Sequence, residues 1–372
     1  MKVSLANKKV VVYMVDKNHP HGKNNLLFDR SVVGEHAEIS PFFYEKCLEN
    51  GIQLITPDIY LSTKPPRPKT ILIKDTSSSD RLIKRLVKEN VHPAVVMAIE
   101  SPLYSCRFFY NLKQETKLFD YAFLPPGAEK MISKKTKFCP YIPTQPFSGD
   151  EFVSSDFDNK KFITLIANNK RTHVLKRIYV SGMNLLHPFP SFVNRELYKD
   201  RLEAIKFFSK YRDFDLYGRG WSKPVRYDNS KYKDAIQASY RGEIKIKLPI
   251  LREYKFSICF ENAIFGGYVT EKIIDSIFAG CVPIYFGAPD ITRYIPEGCF
   301  IDFRDFSAKS GKLLFNTESY DKLNHFLRSI NRKTYNQYID NINRFISSDQ
   351  YHNYFSKEKF VADMIKIINT YF

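Results

Sequence analysis

The sequence has few of the residues that mark secreted or membrane-spanning proteins. Its 372 residues include 6 cysteines, and no two of them form a C-x-x-C pair. This usage favours a reducing compartment over a secreted disulfide framework. No apolar run has the form of a signal peptide or the length of a transmembrane helix. We therefore expect a cytoplasmic protein.

Several catalytic and phosphate-binding motifs are also missing. The chain has no G-x-x-x-x-G-K-[ST] loop, no G-x-G-x-x-G after its first strand and no G-x-S-x-G nucleophile elbow. His19 and His21 flank a proline without neighbouring acids or thiols, and two such histidines make a poor metal site. We expect no metal site in this protein.

Acidic residues are in the minority. The chain has 57 Lys and Arg against 40 Asp and Glu, which gives a formal net charge of +17. Such a surface attracts polyanions: nucleic acid, anionic lipid headgroups or a phosphorylated substrate. The excess is dispersed along the chain, which favours substrate steering or peripheral contact with an anionic membrane, with no nucleic-acid partner. A basic nucleic-acid-binding protein is the alternative from a different class.

The sequence does contain alternating strand and helix patterns over most of its length. This alternation predicts the α/β class with doubly wound parallel sheets. The run Ala94–Ile99 is nearly continuously apolar, as expected of a central parallel strand. Other predicted strands are Lys9–Val15, Ile52–Ile55, Thr70–Ile73, Asp120–Phe123, Lys161–Ala167 and Phe214–Tyr217, and the predicted helices include Ser40–Asn50, Asp80–Asn90, Glu196–Lys210, Ser319–Ser347 and Ser356–Phe372.

The length of the chain points to two domains, because 372 residues exceed what one ordinary core accommodates. The segment Tyr141–Asn159 is rich in Pro, Ser, Asp and Gly and is the best candidate for a linker. We predict a first domain at 1–150 and a second at 151–350. A C-terminal helix at 351–372 is predicted to pack back across both domains.

The most informative stretch is Phe256–Tyr294. Two apolar runs, Phe256–Phe260 and Val282–Phe286, flank a helix that we expect to begin near Thr270, and together they form a βαβ unit. The Thr270 hydroxyl can cap this helix, and Gly280 can end it in the left-handed conformation. In such units ligands bind at the carboxyl ends of the strands and the amino ends of the helices.

Glu271 and Lys272 lie in the first turn of that helix. A lysine at this place opposes the helix dipole, whose positive end favours anions. A bound anion would reverse this cost and could use both side chains. The alternative is a solvated lysine on a surface helix.

Glu100 follows the apolar run Ala94–Ile99. A partly desolvated carboxylate there would have a raised pKa and would suit general-base catalysis. An acid that caps or pins the loop is the alternative.

Two basic positions and one turn are further candidates. Arg201 lies in the predicted helix Glu196–Lys210, and Arg195 precedes it. Either could reach a phosphate, and a solvated helix face is the alternative for both. Asn169 and Lys170 end a predicted strand at the cleft of a doubly wound domain, where a simple polar turn would also explain them.

The sequence of residues 259–291, CFENAIFGGYVTEKIIDSIFAGCVPIYFGAPDI, resembles the signature of the α1,3/1,4-fucosyltransferases that use GDP-fucose. The match is dense, ordered and long, and it is therefore highly specific. Shorter elements extend the resemblance to about residues 94–305. These elements are Glu100-Ser101-Pro102, Phe119-Asp120-Tyr121, the Asn169-Lys170 turn and Asp215–Trp221.

The resemblance implies a GT-B type glycosyltransferase, with two Rossmann-like domains that face each other across a cleft. The N-terminal domain would receive the acceptor sugar, and the C-terminal domain would bind the nucleotide sugar. Glu100 would be the general base. The implied donor-binding residues are Glu271 for the ribose, Lys272 and Arg201 for the diphosphate with Arg195 as the alternative arginine, and Asn262, Tyr268, Asn169 and Lys170 for the rest of the pocket.

The implied reaction moves L-fucose from GDP-fucose to a hydroxyl of an acceptor oligosaccharide or glycolipid, with inversion. The implied linkage is α1,3 to GlcNAc or Glc in a surface glycan. No metal or other cofactor is expected, because Lys272 and an arginine would neutralise the leaving diphosphate. Transfer of another sugar from GDP or a related nucleotide is the alternative within the same architecture.

Overall fold

Apolar runs of the sequence form two separate six-stranded sheets, and every strand pair in both sheets is parallel. The structure is a computed structural model that describes residues 9–16, 19–33, 38–63, 68–75, 80–98, 100–147, 153–154, 156–170, 178–180, 182–183, 196–222, 231–306 and 317–372. The chain divides into a first unit, Met1–Ser148 together with Asn353–Phe372, and a second unit, Gly149–His352. The two parallel sheets and their connecting helices confirm the predicted α/β fold class.

The sheet of the first unit has the strand order β2-β1-β3-β4-β5-β6. Its central strands are buried on both faces, which explains why they are almost continuously apolar: Val10, Val11 and Val12 are all fully buried. The strands are β1 (Lys9–Met14), β2 (Ile52–Ile55), β3 (Thr70–Asp75), β4 (Val91–Met97), β5 (Tyr121–Leu124) and β6 (Lys137–Pro140).

Helices of the first unit connect these strands in sequence, and one more comes from the end of the chain. Those before the linker are α1 (Arg30–Val33), α2 (Ile39–Glu49), α3 (Pro57–Ser62), α4 (Asp80–Lys88), α5 (Cys106–Tyr110) and α6 (Leu112–Thr116). The last helix, Lys357–Asn369, begins at Ser356, whose side chain accepts a hydrogen bond from the Lys359 backbone N–H at 3.0 Å. It buries Phe360, Val361, Met364 and Ile368 in the core of this unit.

The sheet of the second unit has the strand order β12-β11-β10-β7-β8-β9. Its strands are β7 (Lys161–Ile166), β8 (Phe214–Tyr217), β9 (Tyr240–Gly242), β10 (Tyr254–Phe260), β11 (Val282–Phe286) and β12 (Ile301–Asp302). The described helices are α7 (Tyr198–Phe208), α8 (Lys233–Ser239), α9 (Leu248–Arg252), α10 (Glu271–Phe278), α11 (Thr317–Ser329), α12 (Arg332–Ile346) and α13 (Asp349–Phe355), and the C-terminal helix Lys357–Asn369 follows as α14.

The prediction of one helix over Ser319–Ser347 is wrong, because the chain forms α11 and α12 there. Asn331 separates them and caps α12, since its Oδ1 accepts a hydrogen bond from the Thr334 backbone N–H at 3.0 Å. The sequence pattern also missed the short strands β6, β9 and β12. Two of these strands, β6 and β9, end their sheets and are only half-buried or exposed along much of their length, so no apolar run marks them.

The order of strands places a topological switch point in the second unit between β7 and β10. From β7 the chain builds outward to β8 and β9, and it then returns to the other side of β7 to form β10, β11 and β12. In open parallel sheets, ligands bind in the crevice outside the carboxyl ends of the two strands at this point. The loops that follow β7 and β10 are therefore the expected position of a ligand-binding site.

Candidate functional site

A fully buried carboxylate stands directly after β10. The side chain of Glu261 has no exposed surface, and its oxygens meet donors from the start of α10. The Thr270 backbone N–H donates to Oε1 at 2.8 Å, and the Thr270 hydroxyl lies 2.8 Å from Oε2. The Lys272 ammonium group donates to Oε2 at 3.2 Å. A buried charge of this kind is stable only when it is paired and hydrogen-bonded, as this one is.

Thr270 occupies the N-cap position of α10, but the predicted capping bond is absent. Its hydroxyl makes no hydrogen bond to the backbone of the helix; it instead accepts from the Lys272 ammonium group at 2.8 Å and contacts Glu261. The apolar residues of the helix are all buried: Ile273, Ile274, Ile277 and Phe278. Gly280 closes the helix at φ +60°, as predicted.

Gly287, directly after β11, makes room for the buried carboxylate. A Cβ atom at this position would lie 2.5 Å from Glu261 Cγ and 2.7 Å from the Tyr285 hydroxyl oxygen. Both distances are far below van der Waals contact, so a side chain at residue 287 would displace Glu261. The Glu261 backbone N–H also donates to the Phe286 carbonyl at 2.8 Å, which ties the two strand ends together.

Arg201 on α7 is 5% exposed, which excludes the interpretation as a solvated helix face. Its Nε and Nη2 donate to the Phe260 carbonyl at 3.1 and 2.6 Å, and Nη2 also donates to Asn262 Oδ1 at 2.9 Å. The Asn262 amide in turn donates to the Tyr268 hydroxyl at 3.4 Å. Three predicted donor-site residues, Arg201, Asn262 and Tyr268, are thus in one hydrogen-bonded chain at the carboxyl end of β10.

The guanidinium group of Arg201 is only partly engaged in hydrogen bonds. Among the described residues, its Nη1 has no hydrogen-bond partner, whereas Nε and Nη2 are engaged. Burial lowers the pKa of Arg201 from its ordinary value, as expected for a cation held out of water. An anion next to Nη1 would offset that cost.

Glu271 and Lys272 sit at the mouth of the second unit's site. The Glu271 side chain is 47% exposed, and that of Lys272 is 15% exposed, with their charged atoms 3.5 Å apart. Desolvation acts to raise the pKa of Glu271, but Lys272 and Lys247 outweigh it and hold the pKa well below its usual value. Glu271 is therefore an ionised acceptor with open space beside it.

The turn after β7 is tied to the turn after β8. The Asn169 side-chain amide donates to the Gly220 carbonyl at 3.1 Å, and Asn168 Oδ1 accepts from the Arg219 backbone N–H at 3.0 Å. These two bonds support the alternative that Asn169 belongs to a simple polar turn. Lys170 is exposed at the same edge of the sheet, where its charge remains available to a ligand.

Two predicted site residues remain, Arg195 and Glu100. Arg195 is outside the residues that the structure describes. Glu100 belongs to the first unit, three residues after β4, where it is half-buried and its side chain has no hydrogen-bond partner among the described residues. Burial is the largest cause of a raised pKa at Tyr104, and the negative charges of Glu100 and Asp16 add to it. Glu100 is thus placed as predicted, at the carboxyl edge of the first sheet, beside a tyrosine and a second acid.

The region that carries this arrangement matches a known family. Residues 191–345 match the family model for glycosyltransferase family 10 (fucosyltransferase), C-terminal part. This part of the chain belongs to the fucosyltransferase family. The family predicted from residues 259–291 is thereby confirmed, and all of β10, α10 and β11 lie within the matched residues.

Relatives of the chain resemble it over short stretches. The α-(1,3)-fucosyltransferase of Helicobacter pylori is 44% identical over 63 residues, which cover 17% of this chain and 13% of that protein. The GDP-fucose protein O-fucosyltransferase 3 of Xenopus laevis is 33% identical over 101 residues, or 26% of this chain and 20% of that protein. The alignments thus span at most 20% of either relative.

The fold of the chain recurs in solved structures. Sucrose-phosphate synthase from Thermosynechococcus elongatus aligns over 97% of this chain and 98% of its own, with a TM-score of 0.57 and 9% identity. This likeness shows the two-sheet GT-B architecture. In the described part of the chain, no helix is both long and apolar enough to cross a lipid bilayer.

Sequence reasoning missed three side chains of the candidate site. Glu261 appears in the sequence analysis only within the signature of residues 259–291. Its position directly after a predicted buried strand indicates a buried acid, and a buried acid requires a cation or hydrogen-bond donors beside it. Lys247 and Asp275 were not singled out at all. Lys247 donates to Asp275 Oδ2 at 2.9 Å and to Glu271 Oε1 at 3.4 Å. Lys247 and Glu271 are 24 residues apart in the chain, and no periodic pattern in the sequence indicates a contact over that distance.

Proposed function

We propose that the chain transfers L-fucose from GDP-fucose to a hydroxyl group of an acceptor glycan. The observation that carries the proposal is the position of two cations at the β7–β10 switch point, within the residues that match the fucosyltransferase family. Lys272 and Arg201 both flank the carboxyl end of β10. In this proposal they bind the diphosphate, and Glu271 accepts hydrogen bonds from the ribose hydroxyls.

Fixed cations suit the departure of a nucleoside diphosphate. As the bond between the sugar and GDP breaks, negative charge grows on the diphosphate and positive charge on the sugar ring. Groups that are already in place for the developing charge stabilise the transition state more than the ground state. Lys272 meets this requirement, because Glu261 and Thr270 hold its ammonium group before any ligand arrives.

Glu100 is our proposed general base. The acceptor hydroxyl must lose a proton as its oxygen attacks the anomeric carbon, and a carboxylate without an internal partner can take that proton. Attack in line with the departing diphosphate inverts the anomeric centre, so that a β-linked donor yields an α linkage. Support comes from the half-buried position of Glu100 at the carboxyl edge of its sheet.

The acceptor is proposed from the relatives. The resemblance to the Helicobacter pylori α-(1,3)-fucosyltransferase favours an α1,3 linkage. GlcNAc or Glc in an oligosaccharide or glycolipid is the acceptor that the resemblance of residues 259–291 implies. A second candidate is a hydroxyl group of a protein, which the resemblance to GDP-fucose protein O-fucosyltransferase 3 favours. A screen of sugar and protein acceptors with labelled GDP-fucose separates the two.

Calorimetric titration with GDP, GDP-fucose and UDP tests the donor site. We expect the wild-type protein to bind the two guanine nucleotides and to bind UDP more weakly. The Lys272→Met variant should lose about tenfold or more in affinity for GDP and GDP-fucose, because a charge-assisted hydrogen bond to phosphate is removed. Lys245→Met, an exposed lysine nearby, is the matched control and should bind as the wild type does.

Two results would contradict the proposal. A wild-type protein that binds no guanine nucleotide would remove the donor assignment. Unchanged GDP affinity in Lys272→Met would show that another group meets the diphosphate. Release of product from a different nucleotide sugar, without release from GDP-fucose, would favour the alternative of another donor sugar.

A further inference from the structure

The ammonium group of Lys247 lies between two carboxylates of α10. It donates to Asp275 Oδ2 at 2.9 Å and to Glu271 Oε1 at 3.4 Å. Lys247 directly precedes α9, and α9 packs against α10. Desolvation acts to lower the pKa of Lys247, but Glu271 and Asp275 outweigh it and raise the pKa above its ordinary value. The group therefore stays positively charged throughout the physiological pH range.

These contacts extend into a row of alternating charges. Asp275, Lys247, Glu271, Lys272 and Glu261 follow one another with separations of 2.9, 3.4, 3.5 and 3.2 Å between charged atoms. Its most exposed member is Glu271 in the middle, and it ends at the fully buried Glu261. Each interior member has an opposite charge on both sides, so removal of one lysine leaves two acids facing each other across a gap.

The two partners of Lys247 differ in exposure. The Asp275 side chain is 13% exposed, whereas the Glu271 side chain is 47% exposed. The shorter bond goes to the buried Asp275, which anchors the lysine to the body of α10. From this anchor, the same ammonium group reaches the exposed Glu271. An exposed glutamate has several rotamers, and a partner that restricts them lowers the ordering cost of binding a ligand.

We propose that Lys247 is a positioning residue for the donor nucleotide: anchored on Asp275, it holds the Glu271 carboxylate in the orientation that accepts the ribose hydroxyls. The inference rests on the proposed function, in which Glu271 binds the ribose. Lys247 itself needs no contact with the nucleotide. Its effect on affinity should therefore depend on the presence of the ribose hydroxyls.

The test compares GDP with 2′,3′-dideoxy-GDP, which keeps the base and the diphosphate but lacks both ribose hydroxyls. Calorimetric titration of Lys247→Met should show a loss of about tenfold in GDP affinity, the size of one charge-assisted hydrogen bond. For dideoxy-GDP the loss should be about twofold or less, because only the weaker effect of net charge remains. Lys247→Arg, which can still bridge both acids, should recover most of the GDP affinity.

Matched variants separate positioning from other effects. Lys245→Met removes one positive charge from the same segment, at an exposed position, and should leave both affinities unchanged. Asp275→Asn weakens the anchor without removing the lysine, and it should reproduce the selective loss for GDP. This variant also keeps the inference testable if Lys247→Met fails to give the circular dichroism spectrum of the folded protein.

Each remaining outcome overturns the inference. Equal losses for GDP and dideoxy-GDP would show that Lys247 acts through net charge alone, and no loss for GDP would show that it does not position Glu271. Either result leaves the proposed function intact as long as the wild type binds GDP. A wild-type protein without GDP affinity overturns the proposed function itself, and the inference falls with it.

Discussion

Lys272 lies in the first turn of α10, where a positive charge works against the helix dipole at a cost of about 0.3–1 kcal/mol. The structure shows the internal partner that offsets this cost. Glu261 lies 3.2 Å from the ammonium group and is itself fully buried, so its carboxylate would be far more costly without the lysine. Lys272 thus has a structural partner on one side, and the proposed diphosphate would meet it on the other.

Glu100→Gln tests the proposed base at the scale of one residue. Because the amide cannot accept the proton of the acceptor hydroxyl, kcat for GDP release in the presence of acceptor should fall by about 10²–10⁴-fold. GDP affinity should stay near that of the wild type, since Glu100 lies outside the unit that carries α10. The matched control is Glu129→Gln, an exposed acid of the same unit, which should keep full activity. Turnover that survives in Glu100→Gln would assign the proton to another group.

The elements β10, α10 and β11 form one βαβ unit, and its mouth is shaped by close packing as much as by charge. Glu261 follows the first strand, Thr270 and Lys272 lie at the start of the helix, and Gly287 follows the second strand. A carboxylate fits between the two strand ends only because residue 287 has no side chain. The geometry of the site therefore depends on a position that never needs to touch a ligand.

Gly287→Ala should disturb this unit. Its Cβ would lie 2.5 Å from Glu261 Cγ, so the free energy of unfolding should fall by about 1–3 kcal/mol as Glu261 is displaced. Chemical denaturation measures this change, and calorimetric titration should show weaker GDP binding because Lys272 loses its partner. Gly182→Ala, where an added Cβ meets nothing within 4 Å, is the control and should stay within about 0.5 kcal/mol of the wild type. A fully stable Gly287→Ala variant would refute the packing argument.

At the scale of the whole molecule, the formal net charge of +17 attracts nucleotide sugars and other polyanions. The same charge underlies the prediction of peripheral contact with an anionic membrane, which stays a prediction. In the proposed reaction, the local cations Lys272 and Arg201 neutralise the leaving diphosphate. Fixed protein charges can perform the role that a divalent ion performs in other sites.

We accordingly predict that transfer does not depend on a divalent metal ion. After treatment with EDTA and removal of the chelator, the initial rate of GDP release should change by about twofold or less, because no step of the proposed mechanism uses a metal. The control is a parallel sample to which Mg²⁺ or Mn²⁺ is restored. A rate that collapses on chelation and returns with either ion would contradict the prediction.

Much of the fold was predictable because strands and amphipathic helices leave periodic patterns. Ile52–Ile55, Phe214–Tyr217 and Val282–Phe286 agree with β2, β8 and β11 at both ends, since each is a short, mostly apolar run followed by a polar or turn residue. The break between α11 and α12 was missed because it depends on one capping asparagine, Asn331. The capping role of Thr270 was mispredicted for a similar reason: a buried acid nine residues earlier competes for its hydroxyl.

The sequence by itself determined the α/β class and the resemblance to the fucosyltransferase family, because local periodicity and a dense signature are written in consecutive residues. It also predicted the first turn of α10 as the centre of a site, which stays a prediction. Only the tertiary structure decided what those residues contact. It placed Glu261 under Lys272, buried Arg201 against the end of β10 and brought Lys247 between Glu271 and Asp275. These pairings join residues from separate strands and helices, and no local pattern encodes a contact that arises only when the sheet closes around it.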